Sequence, residues 1–294
     1  MDEDGFAGEF PSGLRIVIWG LGLMGGSLAM ALRGQSAHLT GVDPDAETRA
    51  LALERGIVDA AASPEDLLAG VERLGAVDLL ILAAPVRAIL QTLAHMNVLV
   101  EGSPVVIDLG STKADIVGAM NRLPDRFEAV GGHPMCGKEQ SSLRHADAGL
   151  YRDAPFALVA TQRTTGRGRM LAEALVHALG ACPLWIDADT HDRWVAATSH
   201  APFLLSGALV RATPPEAAPL VGPGFRGMAR LAGGSTRMMV DILQTNRANI
   251  REALGRIRAA VDEWDALLEQ GDEAVIVAVL DAVSRSYTAL KGDR

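Results

Sequence analysis

Apolar and polar positions change their rhythm midway along the chain. Up to about Ile186, short apolar runs alternate with longer stretches of helical composition. Strands are predicted over Arg15 to Trp19, Leu39 to Asp43, Val77 to Pro85, Val105 to Leu109, Phe127 to Val130, Phe156 to Ala160 and Leu184 to Ile186. Helices are predicted over Leu23 to Arg33, Asp45 to Arg55, Lys113 to Leu123 and Gly168 to Leu179. Val77 to Pro85 and Val105 to Leu109 are continuously apolar, as strands buried on both faces of a parallel sheet are. Such alternation implies βαβ units and a doubly wound parallel sheet. After Ile186 the strand signal ends. From Thr190 the composition is helical, interrupted at Thr213-Pro214-Pro215 and at Val221-Gly222-Pro223-Gly224. The expected fold class is α/β, with a loose tail over residues 1–13, a sheet domain over 14–187 and an all-helical domain over 188–294.

Composition narrows the class without changing this plan. A length of 294 residues suits two domains, and 49% hydrophobic residues suffice for sizeable cores. The longest apolar stretch, around Leu79 to Val86, is far too short to span a bilayer. The acidic, Gly-rich start has no basic flank or apolar core of a signal peptide, so a cytoplasmic location is expected. Cys136 and Cys182 form no spacing motif and suit a reducing compartment; Cys136 reads as a small turn residue despite its closeness to His133. A net charge of −9 argues against nucleic acid and anionic membranes as partners. An anionic small molecule stays open, because local arginines override a global balance.

The turn Gly20-Leu21-Gly22-Leu23-Met24-Gly25 carries the first chemistry. It leaves a predicted strand, opens a predicted helix, and is followed about twenty residues later by Asp43 at a second strand end. Gly20 permits the tight turn, Gly22 lets the backbone approach a pyrophosphate, and Gly25 lets the helix pack closely on the sheet. The helix start offers N–H groups and a positive dipole end to phosphates. Asp43 would accept hydrogen bonds from the ribose hydroxyls and repel a 2′-phosphate. Pro44 and Asp45 follow it rather than an arginine, so NAD is the expected cofactor on a Rossmann-type sheet. Ala84 and Pro85 end a neighbouring strand, where small residues leave room for the cofactor; a plain strand stop at proline reads equally well.

Gly110-Ser111-Thr112-Lys113 follows a buried strand and should lie on the same carboxyl edge. Ser111 reads as a ligand contact and also as a helix cap. His133, within Gly131-Gly132-His133-Pro134-Met135, ends the next strand-like stretch on that edge. An enzyme that removes hydride from an alcohol needs a base for the hydroxyl proton, and histidine titrates near neutrality.

Taken with His191-Asp192, Ser199-His200-Ala201-Pro202, Gly224-Phe225-Arg226 and Arg230, these motifs resemble the prephenate and arogenate dehydrogenase family of tyrosine biosynthesis, in order and spacing from about Arg15 to Asn246. The resemblance implies a Rossmann domain, a helical domain that forms a homodimer, and NAD-dependent oxidative decarboxylation of a cyclohexadienol. It also implies His133 as the base, with Ser111 holding the ring hydroxyl and His133 in place. Arg230 and Arg226 would bind substrate carboxylates, and Lys113 and His200 would join the substrate site. His200 reads equally as a core residue, and His191 equally as a cap, a packing residue or a direct contact. Trp185, Trp194 and Trp264 read as packing residues.

One departure bears on substrate. Many prephenate-active relatives carry a second histidine where this chain has Phe203, and its loss, with Gly233-Gly234, resembles the arogenate-preferring members. Tyrosine feedback is therefore not expected, and with the sequence stopping after the helical region a C-terminal regulatory domain is not expected either. Competing readings are a 4-amino-4-deoxyprephenate dehydrogenase and a non-catalytic NAD-binding redox sensor. A 3-hydroxyacid dehydrogenase would need a lysine and an asparagine one turn apart on a long helix, and the second half holds only Lys291.

Overall fold

The strand β4 (Leu79–Leu82) is wholly buried along its length, flanked on one side by β1 (Arg15–Trp19) and on the other by β5 (Val105–Asp108). In this computed structural model, which describes residues 10–138 and 140–291, these three strands form the centre of an eight-stranded sheet. Its remaining strands are β2 (His38–Val42), β3 (Ala60–Ala62), β6 (Glu128–Pro134), β7 (Pro155–Ala160) and β8 (Cys182–Trp185). Their order is β3-β2-β1-β4-β5-β6-β7-β8, parallel except for the β6–β7 pair. The order reverses between β1 and β4, which opens a crevice at the carboxyl ends of those two strands. Leu, Ile and Val fill both faces, as the continuous apolar runs require.

Helices α1 (Leu23–Leu32), α2 (Ala46–Glu54), α3 (Pro64–Leu68), α4 (Val86–Leu99), α5 (Ala114–Met120) and α6 (Gly166–Ala178) accompany the sheet. Past β8 come α7 (Ala188–Val195), α8 (Ala201–Ala212), α9 (Pro223–Ala229), α10 (Thr236–Thr245), α11 (Arg247–Gln270) and α12 (Glu273–Lys291). A π-helical turn, Ala196–His200, joins α7 to α8 without a break. Pro202 has no N–H to complete an α-helical ladder there, and the wider turn absorbs that loss.

The chain divides into two compact units, residues 1–247 and 248–294. The sheet ends at Trp185, close to the expected boundary, yet α7 to α10 belong to the first unit. Specific polar contacts tie them to it. Arg87 Nε at the start of α4 donates to Asp241 of α10 at 2.6 Å, and Thr112 and Thr245 hydroxyls meet at 2.8 Å. The second unit consists of most of α11 and of α12. No residue of α12 is buried, and Val275, Val283, Tyr287 and Leu290 are exposed on it.

Three sequence expectations change. The strand expected over Phe127 to Val130 continues through Gly131 to Pro134 as β6, because that stretch pairs antiparallel with Phe156 to Val159 of β7. Phe10, assigned to the loose tail, is buried against the sheet core; residues 1–9 lie outside the described residues. Finally, β3, α3 and α4, which the apolar pattern does not signal, fill the crossovers between β2 and β5. No helix among the described residues is long and apolar enough to cross a membrane.

Candidate active site

The glycine turn sits at the crevice between β1 and β4. Gly20 has φ +102°, and a Cβ there would lie 2.4 Å from the Ala83 carbonyl oxygen. At Gly25 a Cβ would lie 1.8 Å from the Gly20 carbonyl oxygen, so α1 can approach the turn only without a side chain. Gly22 differs: a Cβ there would meet nothing within 4 Å, and Gly22 caps α1 with no side-chain bond. Open space at Gly22 beside an uncapped helix start suits a phosphate group. Leu21 donates its N–H to Asp43 Oδ2 at 2.8 Å, which draws the end of β2 against the turn. The other Asp43 oxygen accepts from Asp45 N at 2.9 Å. A carboxylate has about four acceptor positions, so capacity remains for ribose hydroxyls. Arg49 also belongs to this corner, donating to the Asp43 and Pro44 carbonyls at 2.7 and 3.0 Å. Leu23 and Met24 open α1, and Ala84 and Pro85 lie between β4 and α4, Pro85 preceding the first residue of α4. The turn, the open glycine and the carboxylate together fit a dinucleotide.

The second constellation forms where β5 and β6 end beneath α7. His133 Nδ1 lies 2.9 Å from His191 Nε2, and His191 Nδ1 lies 2.8 Å from Asp192 Oδ1. The two rings meet edge-on at 68°, with centroids 5.1 Å apart. Asp192 does more than hold His191. Its carboxylate accepts from Lys113 N at 2.7 Å and Ala114 N at 2.9 Å, and so caps α5 from a different helix. Ser111 is therefore not the cap of α5; it is half-buried on the turn ahead of it, with no side-chain hydrogen bond to His133. Asn246 Nδ2 donates to the Asp192 carbonyl at 2.7 Å and lies 3.2 Å from His200 Nδ1.

Two expected substrate contacts take other roles. Lys113 is fully buried, with its ammonium paired to Asp108 and donating to the Gly132 carbonyl at 2.7 Å. It fastens β5 to β6 beneath His133 and cannot reach a ligand in that position. His200 is 1% exposed and engaged by Asn246, which leaves the core reading of that residue. Arg226 and Arg230 are exposed, one helical turn apart, at the end of α9 and in the 3₁₀ turn that follows it. That segment is held to α8 by Ala232 N, which donates to Ser206 Oγ at 2.9 Å. A Cβ at Gly234 would lie 3.2 Å from the Phe203 ring, so the small residue and the phenylalanine fit one another.

Burial sets the charge state of this cluster. It lowers the pKa of His133 well below the usual histidine value, aided by His191, Lys113 and His200. For His200 burial brings the pKa down to about 4, opposed by Asp192 and aided by His191. Burial also pulls Lys113 down against the attraction of Asp108. Burial would raise Asp192, but the bonds from His191, Ala114 and Lys113 outweigh it and hold the carboxylate below its usual range. Cys136 is pushed up to about 11 by burial, which favours the thiol over the thiolate at neutral pH.

Two predictions follow from this geometry. Gly20→Ala should lower stability by about 2 kcal/mol or more, from left-handed backbone strain and a backbone clash. Gly22→Ala should leave thermal denaturation unchanged and weaken dinucleotide binding; equal melting losses for both would contradict the assigned roles. The folded state binds fewer protons than the unfolded chain wherever a histidine pKa is depressed. Stability is then full above pH 6.5 and falls as pH drops towards 4. For His200 alone, with a pKa of about 4, the loss is on the order of 3 kcal/mol. Urea denaturation of the wild type and His200→Gln between those pH values should show a shallower decline in the variant.

Comparison with known proteins gives the same assignment. Residues 28–181 match the family described as prephenate dehydrogenase, nucleotide-binding domain, and residues 187–282 match prephenate dehydrogenase, dimerization domain. Prephenate dehydrogenase of Bacillus subtilis is 30% identical over 87% of this chain and 71% of its own length. Cyclohexadienyl dehydrogenase of Zymomonas mobilis is 25% identical over 95% and 96%. Among solved structures, prephenate dehydrogenase from Aquifex aeolicus with hydroxyphenyl propionate and NAD+ superposes with a TM-score of 0.85 at 25% identity, covering 94% of this chain and 98% of its own. Synechocystis arogenate dehydrogenase gives 0.78 at 26% identity, covering 93% and 99%. The chain belongs to the prephenate dehydrogenase family, and is an NAD-dependent oxidoreductase with a nucleotide-binding domain followed by a dimerisation domain.

Proposed function

We propose that the chain oxidatively decarboxylates a cyclohexadienol in tyrosine biosynthesis, converting prephenate to 4-hydroxyphenylpyruvate, arogenate to tyrosine, or both. The observation that carries this reading is His133, held neutral at the ligand edge of a dinucleotide fold with one ring nitrogen committed to His191. NAD, when bound, supplies the hydride acceptor. Gly22 and the start of α1 would hold its pyrophosphate, and Asp43 its adenosine ribose. His133 Nε2 accepts the proton of the ring hydroxyl as that carbon gives up hydride. Loss of carbon dioxide from the opposite ring carbon makes the ring aromatic, which drives the step forward, so the protein chiefly orients its reactants and handles one proton.

Ser111, on the turn between β5 and α5, would hydrogen-bond the ring hydroxyl. Arg230 would bind one substrate carboxylate by a bidentate contact, and Arg226 the second. Phe203 and Gly234 favour arogenate: an apolar ring occupies the place where prephenate-active relatives present a histidine, and Gly234 makes room for it. The exposed apolar positions of α12 would form part of the homodimer interface, in keeping with the dimerisation family matched over residues 187–282. The reading needs no nucleic acid or membrane partner.

Reduced-nicotinamide absorbance with each substrate tests the assignment. Arogenate with NAD should turn over faster than prephenate with NAD. The reverse order would keep the chemistry and overturn the role given to Phe203. Failure with both would overturn the proposed substrates and point to the amino-substituted dienol. In His133→Ala, kcat should fall on the order of 10²- to 10⁴-fold with NAD binding retained. Unchanged turnover in that variant would remove His133 as the base, and a redox sensor would show no turnover in either protein.

A further inference from the structure

We propose that His191 and Asp192 form a positioning relay that fixes the tautomer of His133, leaving Nε2 free of hydrogen and available as the base. The proposal rests on the reading of His133 given above and adds a role for two residues that do not touch the substrate in it.

Each link fixes the next. Asp192 is an ionised carboxylate and can only accept, and it already accepts from Lys113 N and Ala114 N. Its contact with His191 Nδ1 at 2.8 Å therefore requires a proton on that nitrogen. A neutral His191 then carries no proton on Nε2, which becomes an acceptor. The 2.9 Å contact between His191 Nε2 and His133 Nδ1 requires in turn that His133 donate from Nδ1. Neutral His133 so constrained has its lone pair on Nε2, the nitrogen with no protein partner among the described residues. Without the relay, a neutral imidazole divides between two tautomers, one of which cannot accept a proton at Nε2.

The relay also provides for the charge that appears when His133 takes up the hydroxyl proton. As the N–H bond forms at Nε2 the substrate O–H bond breaks and leaves its electron pair on oxygen, and the imidazolium keeps its Nδ1–H on His191. Several other groups face this ring. Lys113 is neutralised by Asp108, and His200 is bonded to Asn246 through Nδ1. Asp192 is thus the carboxylate left to balance the new cation, through His191. The same Asp192 caps α5, so the turn carrying Ser111 and the base are registered against one group.

Histidine ¹⁵N NMR on the cofactor-free protein reads the tautomer without catalysis. Signals of His133, assigned by their loss in His133→Gln, should show Nδ1 protonated and Nε2 unprotonated at neutral pH. The opposite tautomer in the wild type overturns the relay while leaving His133 as a possible base, and loss of turnover in His133→Ala reports on that base separately. His191→Leu removes the acceptor. Its His133 should shift towards the other tautomer, with kcat reduced on the order of 10²-fold and KM little changed. In His191→Gln the amide oxygen can still accept from His133 Nδ1, and most of the lost kcat should return. Wild-type kcat in the leucine variant, or a glutamine variant as impaired as the leucine one, would contradict the proposal. Should the leucine variant fail to fold, the wild-type spectrum and the glutamine variant decide.

Discussion

A single buried carboxylate, Asp192, organises the chemical half of this protein. It takes the N–H groups of Lys113 and Ala114 at the start of α5, and it takes His191 Nδ1 on its own helix. A helix start left without such a partner would bury unsatisfied donors, at a cost of roughly 1–3 kcal/mol for each. The sequence-distant α7 is therefore locked to the carboxyl edge of the sheet. The turn carrying Ser111 and the ring of His191 take their places from that lock, and His133 meets them from its paired position in β6. Beneath them the Lys113–Asp108 pair bonds β5 to β6 with no exposure of either side chain. An unpaired charge there would be strongly destabilising, so both members must be present together.

The cofactor half rests on backbone sterics instead. Gly20 and Gly25 are required because a side chain there would clash with backbone atoms, whereas at Gly22 a Cβ would meet only open space. Asp43 then draws β2 against the turn through Leu21 N. The two halves meet on one sheet edge because β1, β4, β5 and β6 are parallel neighbours with their carboxyl ends on the same side.

Much of this plan could be read from the residues. The glycine turn, Asp43, the buried β4 run and the edge position of His133 each follow from local pattern plus one rule of α/β topology. Other features could not. Ala60–Ala62 is too short and too plain to signal a strand, and Gly131 to Pro134 has the composition of a turn while pairing as a strand. His191 stands 58 positions from His133, so only the fold brings the rings together. Lys113 misled for a different reason: a charged residue on a ligand edge suggests a ligand contact, but its long side chain turns inward to Asp108. His200 was ambiguous because burial alone separates its two roles, and local sequence does not report burial for a single histidine.

The most direct test of the account is the pH dependence of kcat/KM for the wild-type enzyme with NAD and its faster substrate. Burial and neighbouring charge hold His133 neutral well below the ordinary histidine range. The acid limb should therefore lie well below pH 6.5, with full activity retained through mildly acidic solution. An acid limb at or above pH 6.5 would contradict a neutral, half-buried His133 as the base that begins the reaction.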